Sequence, residues 1–431
     1  MISAANPRQP LNGNNRHQLE DFEVCKLNQK IMKNILQSLV SLFLTILLSQ
    51  VSFSQKAPIK SEKIFRVGIF APLYLDSIFT TDGKFRKNLE LPRFAKPTID
   101  FINGAKIALD SLVIPNQLVN AHIYDTKSKD LSLDQLIKLN KIDSLDLIIG
   151  SVKDLEFKQL ASFALTKNIP FISATYPNDG GITANPFLVI VNSTLKSHCE
   201  AIFANVLQNH GKEKILLIRK KGPQEDKIAS YFKAMNEVDR KPLLNIQTII
   251  LDSIFTIQSL QKKLDSSQRS IIIGASLDEN FSSKLTSTCF DLHLYYPITL
   301  IGMPNWDGFK IFTRKDLYKD FPVYVTSPFY NSRWDDNSKL LIAGYSEKYK
   351  GKPSDMVFKG YESTKRFIKV LTTFPNDFLS HLNDSPFKVF SEYNFRPIFL
   401  NKEKKVPDYF ENKHLYFIKI LNGVSSRAIQ F

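Results

Sequence analysis

From Lys60 onward, short continuous apolar runs alternate with amphipathic segments, and this alternation limits the chain more than any other feature. Leu147-Ile148-Ile149 and Ile271-Ile272-Ile273 have no polar face at all. A strand of that kind must be covered on both sides, which is the situation inside a parallel sheet. Strands are expected at 64–71, 119–124, 145–149, 170–173, 187–191, 214–218, 246–251, 270–274, 298–301 and 323–326. Between them the apolar positions recur at helical spacing. In 99–112, Ile102, Ala105, Leu109 and Leu112 form one stripe that Phe101 and Ala108 widen. Similar patterns cover 134–139, 156–166, 195–209, 226–238, 257–264, 278–289, 338–349 and 357–371. Strand–helix alternation implies βαβ units with right-handed crossovers. The chain of 431 residues exceeds what one core usually supports, so two lobes are expected. The tail differs: 392–400 and 414–421 read as strands flanking a charged loop, followed by the turn signal Asn422-Gly423, and predict a terminal β-hairpin.

The N-terminal region reads as an export signal. Met32-Lys33-Asn34 precedes an apolar run from Ile35 to Leu48, and small residues stand at Ser52 and Ser54. This predicts a signal peptide over 32–54, cleaved after Ser54, and a periplasmic or secreted protein. The run is short for a membrane span and contains Gln37, Ser38 and Ser41, which weighs against a retained anchor. Residues 1–31 are polar and aperiodic and read as an extension upstream of the true start at Met32. Of the three cysteines, Cys25 lies before the signal, leaving Cys199 and Cys289 in the mature chain. That is no disulfide framework, although the pair leaves one bridge open. The net charge of +15 favours anionic surfaces. The lysines are scattered, no nucleic-acid-binding motif is present, and no nucleic-acid partner is expected.

Catalytic signatures are absent: there is no phosphate-cradling glycine loop, no HExxH and no GxSxG elbow. Gly274-Ala275-Ser276-Leu277-Asp278 lacks the elbow's second glycine. His198, Cys199, Cys289 and His293 have zinc-ligand chemistry, but the adjacency of His198 and Cys199 suits shared coordination poorly, so no metal and no cofactor is expected.

The order of several short motifs resembles the type I periplasmic binding proteins, whose best-known members bind leucine, isoleucine and valine for transport. Arg66-Val67-Gly68-Ile69-Phe70-Ala71-Pro72-Leu73 is similar to that family's opening strand, and Asn103-Gly104-Ala105-Lys106-Ile107-Ala108-Leu109-Asp110 to its first helix. Ala121-His122-Ile123-Tyr124-Asp125-Thr126, Ile149-Gly150-Ser151, Asn168-Ile169-Pro170-Phe171-Ile172-Ser173 and Asn185-Pro186-Phe187 follow in family order. Val357-Phe358-Lys359-Gly360-Tyr361-Glu362-Ser363 resembles the helix after the second crossover.

The resemblance implies an α/β fold of two doubly wound lobes, joined by crossover strands around a hinge and cleft. Lobe one is expected over 60–190 and 328–373, lobe two over 191–327 and 374–431. It also implies a non-enzymatic solute-binding protein that closes on a small polar ligand, with an inner-membrane permease of an ABC transporter or an envelope component as partner. The alternative is an envelope interaction or sensory protein using the same fold. Ligands of open α/β sheets bind beyond the carboxyl ends of the strands. The candidate contacts are therefore Tyr74, Asp76, Ser151, Asp154, Thr175 and Tyr176 in lobe one. In lobe two they are Gln224, Asp226, Ser276, Asp278 and Glu279, where Asp278 also suits a helix N-cap. Trp306 and Trp334, in loop-like stretches beside polar residues, suit either a ring-bearing ligand or a cover over the edge of a core.

Overall fold

The computed structural model describes Met32 and residues 63–86, 91–114, 117–401 and 403–429. The expected extension over 1–31 and the cleavage site after Ser54 lie outside the described residues, as does all of the signal segment 32–54 except Met32.

Two seven-stranded sheets carry the fold. The strands, in chain order, are β1 (Lys63–Ala71), β2 (Gln117–Asp125), β3 (Leu147–Gly150), β4 (Phe171–Ser173), β5 (Leu188–Ile190), β6 (Lys214–Arg219), β7 (Glu237–Val238) and β8 (Lys241–Pro242). They continue with β9 (Ile246–Ile250), β10 (Ser270–Gly274), β11 (Ile298–Gly302), β12 (Val323–Ser327), β13 (Phe395–Ile398), β14 (Tyr409–Asn412), β15 (Tyr416–Leu421) and β16 (Val424–Ala428). The first sheet runs β13-β14-β5-β4-β3-β1-β2 and the second β16-β15-β12-β11-β10-β6-β9. Within each, the five strands nearest the second edge follow the same doubly wound order, and all of them run parallel. The runs that read as two-sided strands are so: every residue of β3 and β10 is buried.

The helices form where their apolar stripes meet the sheets. In the first lobe Phe101, Ile102 and Ala105 of helix Lys96–Asp110 and Phe367, Ile368 and Leu371 of helix Asp355–Thr373 cover one face. Phe157, Leu160 and Ala164 of helix Asp154–Lys167 cover the other. The first pair of helices approaches closely, because a Cβ on Gly104 would strike the Val357 carbonyl and one on Gly360 the Phe101 carbonyl. Only glycine permits that separation. In the second lobe one core joins Ile215–Ile218, Ile271–Ile273, Cys199, Cys289 and Trp306.

The tail departs from expectation. Residues 395–398 pair with β14, not with 416–421, and both β13 and β14 extend the first sheet. The terminal hairpin is β15–β16, turning at Asn422-Gly423 and adding to the second sheet through β12. The part of 374–431 that carries β13 and β14 thus belongs with the first lobe's sheet, and 416–428 with the second's. Residues 409–412 and 424–428 lack an apolar run, so their sequence does not mark them as the strands that pair here. The chain passes between the sheets after β5, after β12 and after β14.

Cys199 and Cys289 are buried with free thiols, so the open bridge is not formed. Burial pushes the Cys199 thiol up to about 12. His198 turns to the Thr326 hydroxyl at 2.7 Å. Among the described residues no cluster of metal-ligating side chains forms, and no helix is long and apolar enough to cross a membrane.

Candidate functional site

The strand exits of the first sheet bring several expected residues together. Ser151, just after β3, and Thr175, just after β4, share a hydrogen bond of 3.1 Å between hydroxyls. The Tyr176 hydroxyl donates to Asp154 at 3.1 Å. Removal from solvent raises the Tyr176 phenol's pKa, and the Asp154 carboxylate adds to the effect. Tyr74, in a left-handed conformation after β1, sets its ring edge-on to Phe94. Asp76 fastens the β1 and β2 exits together, its carboxylate accepting from Ser128 Oγ and from the Lys129 main chain. Two unexpected residues join this edge. Lys127 pairs with the buried Glu156, and that contact raises the lysine's pKa.

The second sheet's exits are engaged internally. The buried Ser276 hydroxyl donates to the buried Glu225 at 2.7 Å. Asp278 caps helix Glu279–Leu292 by accepting from the Phe281 N–H at 2.8 Å, and it also pairs with Lys220 at 2.9 Å. The Phe281 N–H, then Lys220, holds its carboxyl below the usual range. Asp226 pairs with Arg219, while Gln224 and Glu279 are exposed. Trp306 is 0% exposed and is not a ligand platform. Its indole lies where a Cβ on Gly274 or Gly302 would have to be, and its Nε1 donates to the Ser276 carbonyl at 2.9 Å. It closes the edge of the core, the second of its two expected roles. Trp334, in contrast, is 80% exposed. Among the described residues no hydrogen bond or ion pair joins a first-lobe candidate to a second-lobe one.

A cavity of about 420 Å³ lies beside the second passage, between the Ser327 end of β12 and the first turns of the helix Asp355–Thr373. Asp307, Ser327 and Ile418 line it from the second sheet's side, and Phe358, Lys359 and Phe390 from the first's. None of the residues expected from the sequence lines it.

No family model matches the chain, and no curated protein matches it. Solved structures do. A putative branched-chain amino acid ABC transporter protein from Rhodospirillum rubrum superposes with a TM-score of 0.58 at 11% identity, covering 85% of this chain and 100% of the other. A branched-chain amino acid ABC transporter periplasmic ligand-binding protein from Burkholderia xenovorans LB400 gives 0.57 at 12%, covering 84% and 94%. An ABC transporter substrate-binding protein from Desulfitobacterium hafniense, in complex with Leu, gives 0.53 at 12%, covering 85% and 100%. The chain has the type I periplasmic binding protein fold.

Within the type I fold, sequence reasoning found the strand exits but missed the cavity wall. Lys359 sits inside the motif Val357–Ser363, which the sequence marks only as resembling the helix after the second crossover. A lysine on an amphipathic helix reads as a solvated one, and nothing local marks it otherwise. Lys127 had a signal: it follows Asp125, whose carboxylate accepts from the Leu73, Tyr74 and Leu75 N–H groups and fixes the neighbouring exit.

Proposed function

We propose that the protein is exported and binds a small solute between its two lobes without covalent chemistry, handing it to a membrane permease. The observation that carries this reading is the 420 Å³ cavity lined by residues of both lobes beside the second passage, a volume suited to a small ligand. A solute there touches both lobes, so closing on it is favoured by differential contact. The solved proteins of similar fold are substrate-binding components of transporters, which supports the same reading.

The strand exits argue against capture of a free α-amino acid in the manner of the leucine-binding proteins. The resemblance implies that Asp154 falls near the position where the leucine-binding family has a serine, and Pro177 near its threonine. An ionised Asp154 repels a carboxylate, and Pro177 has no N–H to donate.

Export, with Gln55 as the first mature residue, is tested by N-terminal sequencing of the native protein; a chain beginning near Met1 would contradict it. Solute binding is tested by native mass spectrometry of protein purified from its source, with small-angle scattering before and after the solute is removed. A bound small molecule whose removal expands the particle supports the reading. No bound molecule and an unchanging profile would point instead to a fixed scaffold for an envelope partner.

A further inference from the structure

The charges around the inter-lobe cavity are mostly committed to one another. Arg333 pairs with Asp355 at 2.5 Å, and its guanidinium lies 4.9 Å from the Phe358 ring centre. The Glu362 carboxylate accepts from the Phe390 N–H at 3.0 Å, the Ser391 N–H at 2.6 Å and the Ser391 hydroxyl at 3.0 Å. A carboxylate so supplied has little left to offer a ligand.

Lys359 is different. Its ammonium stands 4.3 Å from the centre of the Phe329 ring and makes no hydrogen bond or ion pair with a described residue. A ring face stabilises a cation only modestly and does not replace the hydrogen bonds that water gives an ammonium. Burial accordingly holds the lysine's pKa below its ordinary value, against the pull of the Asp355 and Asp307 carboxylates. Phe329, Tyr330, Phe358 and Phe390 supply an aromatic wall beside this cation. On the second-lobe side stands Asp307, whose residue surface is exposed while desolvation of its carboxyl raises its pKa against the pull of Lys359; the charge it carries is unfavourable to further negative charge.

Building on the solute-binding reading, we propose that this cavity takes a small monoanion with a flat apolar body, its anionic group on Lys359 Nζ and its body against Phe329, Tyr330 and Phe390. A charge-assisted hydrogen bond to an ammonium on a half-buried helix is stronger than the same bond in water. Of the two cations that line the cavity, Arg333 is paired with Asp355 and Lys359 is uncommitted, so one positive charge matches one negative charge, and Asp307 disfavours a second. The anion is held by the helix Asp355–Thr373 and not by the strand exit that Asp154 guards. A monoanionic ligand is therefore compatible with exclusion of a carboxylate from that exit.

The test is a ligand-observed NMR titration of the full chain with 3-phenylpropionate, its neutral amide 3-phenylpropanamide, and the dianion phenylsuccinate. The expected result is saturable binding of the monoanion, with the amide and the dianion each weaker by about 10-fold or more. Lys359→Met should erase the preference for the monoanion, Lys359→Arg should keep it, and Asp307→Asn should tighten binding. Equal binding of acid and amide, a preference that survives Lys359→Met, or no binding by any of the three probes would overturn the proposal. So would loss of binding in Asp307→Asn, which would mean that the ligand carries an amine. The identity of a solute retained from the source separates this proposal from the broader one. A neutral or cationic solute released by scattering-detected opening overturns the anion assignment and leaves solute binding in place.

Discussion

Ser193 Oγ donates to the main-chain oxygen of Asn412 at 2.6 Å, joining the first passage between the lobes to the third. Asn412 returns the link by donating its side-chain N–H to the Val191 carbonyl at 3.4 Å. Beside them the buried Glu411 accepts from the Thr194 N–H at 2.7 Å and the Ser197 hydroxyl at 2.6 Å, and Lys413 pairs with it at 3.2 Å. The second passage carries a local turn in its place, Ser327 Oγ donating to the Phe329 carbonyl at 2.9 Å. Two of the three passages are thus latched together.

Glu411→Ala should therefore cost about 2–4 kcal/mol, because it leaves the Thr194 N–H and Ser197 hydroxyl without their buried acceptor. Urea denaturation followed by circular dichroism measures the loss. An unchanged midpoint would show that the latch contributes nothing. Ser193→Ala, which deletes one neutral hydrogen bond, should cost about 1 kcal/mol.

Gly104→Ala and Gly360→Ala should each destabilise by about 3 kcal/mol or more, since the new methyl meets a backbone carbonyl of the opposing helix. A flexible side chain can turn away from such a contact; two helix backbones must separate. Thermal unfolding of the two single variants reads the effect. Because both substitutions act on the same separation, the double variant should lose less than the sum.

His198 gives the fold an acid dependence. Its ring is buried against Thr326, and desolvation lowers its pKa to about 3. The unfolded chain takes up the proton near the ordinary value of ~6.5 while the folded chain resists. The stabilising contribution is therefore fully present above that unfolded value and is lost as pH falls towards the folded pKa. The expected slope is about 1.4 kcal/mol per pH unit between those limits. His198→Asn, which keeps a polar partner for Thr326, should flatten this component in a pH series of denaturation curves. An unaltered slope would place the acid sensitivity elsewhere.

The alternation of apolar runs made the lobes legible because a strand covered on both faces needs no information beyond its own composition. Strands added at the sheet margin were not legible for the converse reason. β14 is Tyr409-Phe410-Glu411-Asn412, half polar, and its carboxylate is buried because of what the first passage supplies. Trp306 was recoverable in principle. Gly274 and Gly302 are register partners at the ends of β10 and β11, so two missing side chains next to a tryptophan mark a seat for its ring. The neutralised polar exits are harder to read. Ser276 and Glu225 are distant in sequence and meet only because β6 and β10 are neighbours.

The strand exits lead to a final expectation about free amino acids. The Ser151 and Thr175 hydroxyls share one hydrogen bond at 3.1 Å, which uses one of their two donors, and Asp154 holds the Tyr176 hydroxyl on the same edge. A zwitterion arriving at that edge finds one of the two hydroxyl donors already spent and brings its carboxylate towards Asp154. Coulomb repulsion between like charges at contact reaches roughly 4 kcal/mol at the effective dielectric of a protein surface. A thermal-shift screen against the twenty amino acids measures the outcome, since a ligand at 100 times its dissociation constant stabilises the native state by about 2.7 kcal/mol. No zwitterion should reach that shift. Asp154→Ser, which removes the repelling charge and releases Tyr176, is the variant in which one would first gain affinity. A clear, saturable shift with leucine or valine in the unmodified protein, lost in the Ser151→Ala, Thr175→Ala double variant, would show that the exits bind a carboxylate after all.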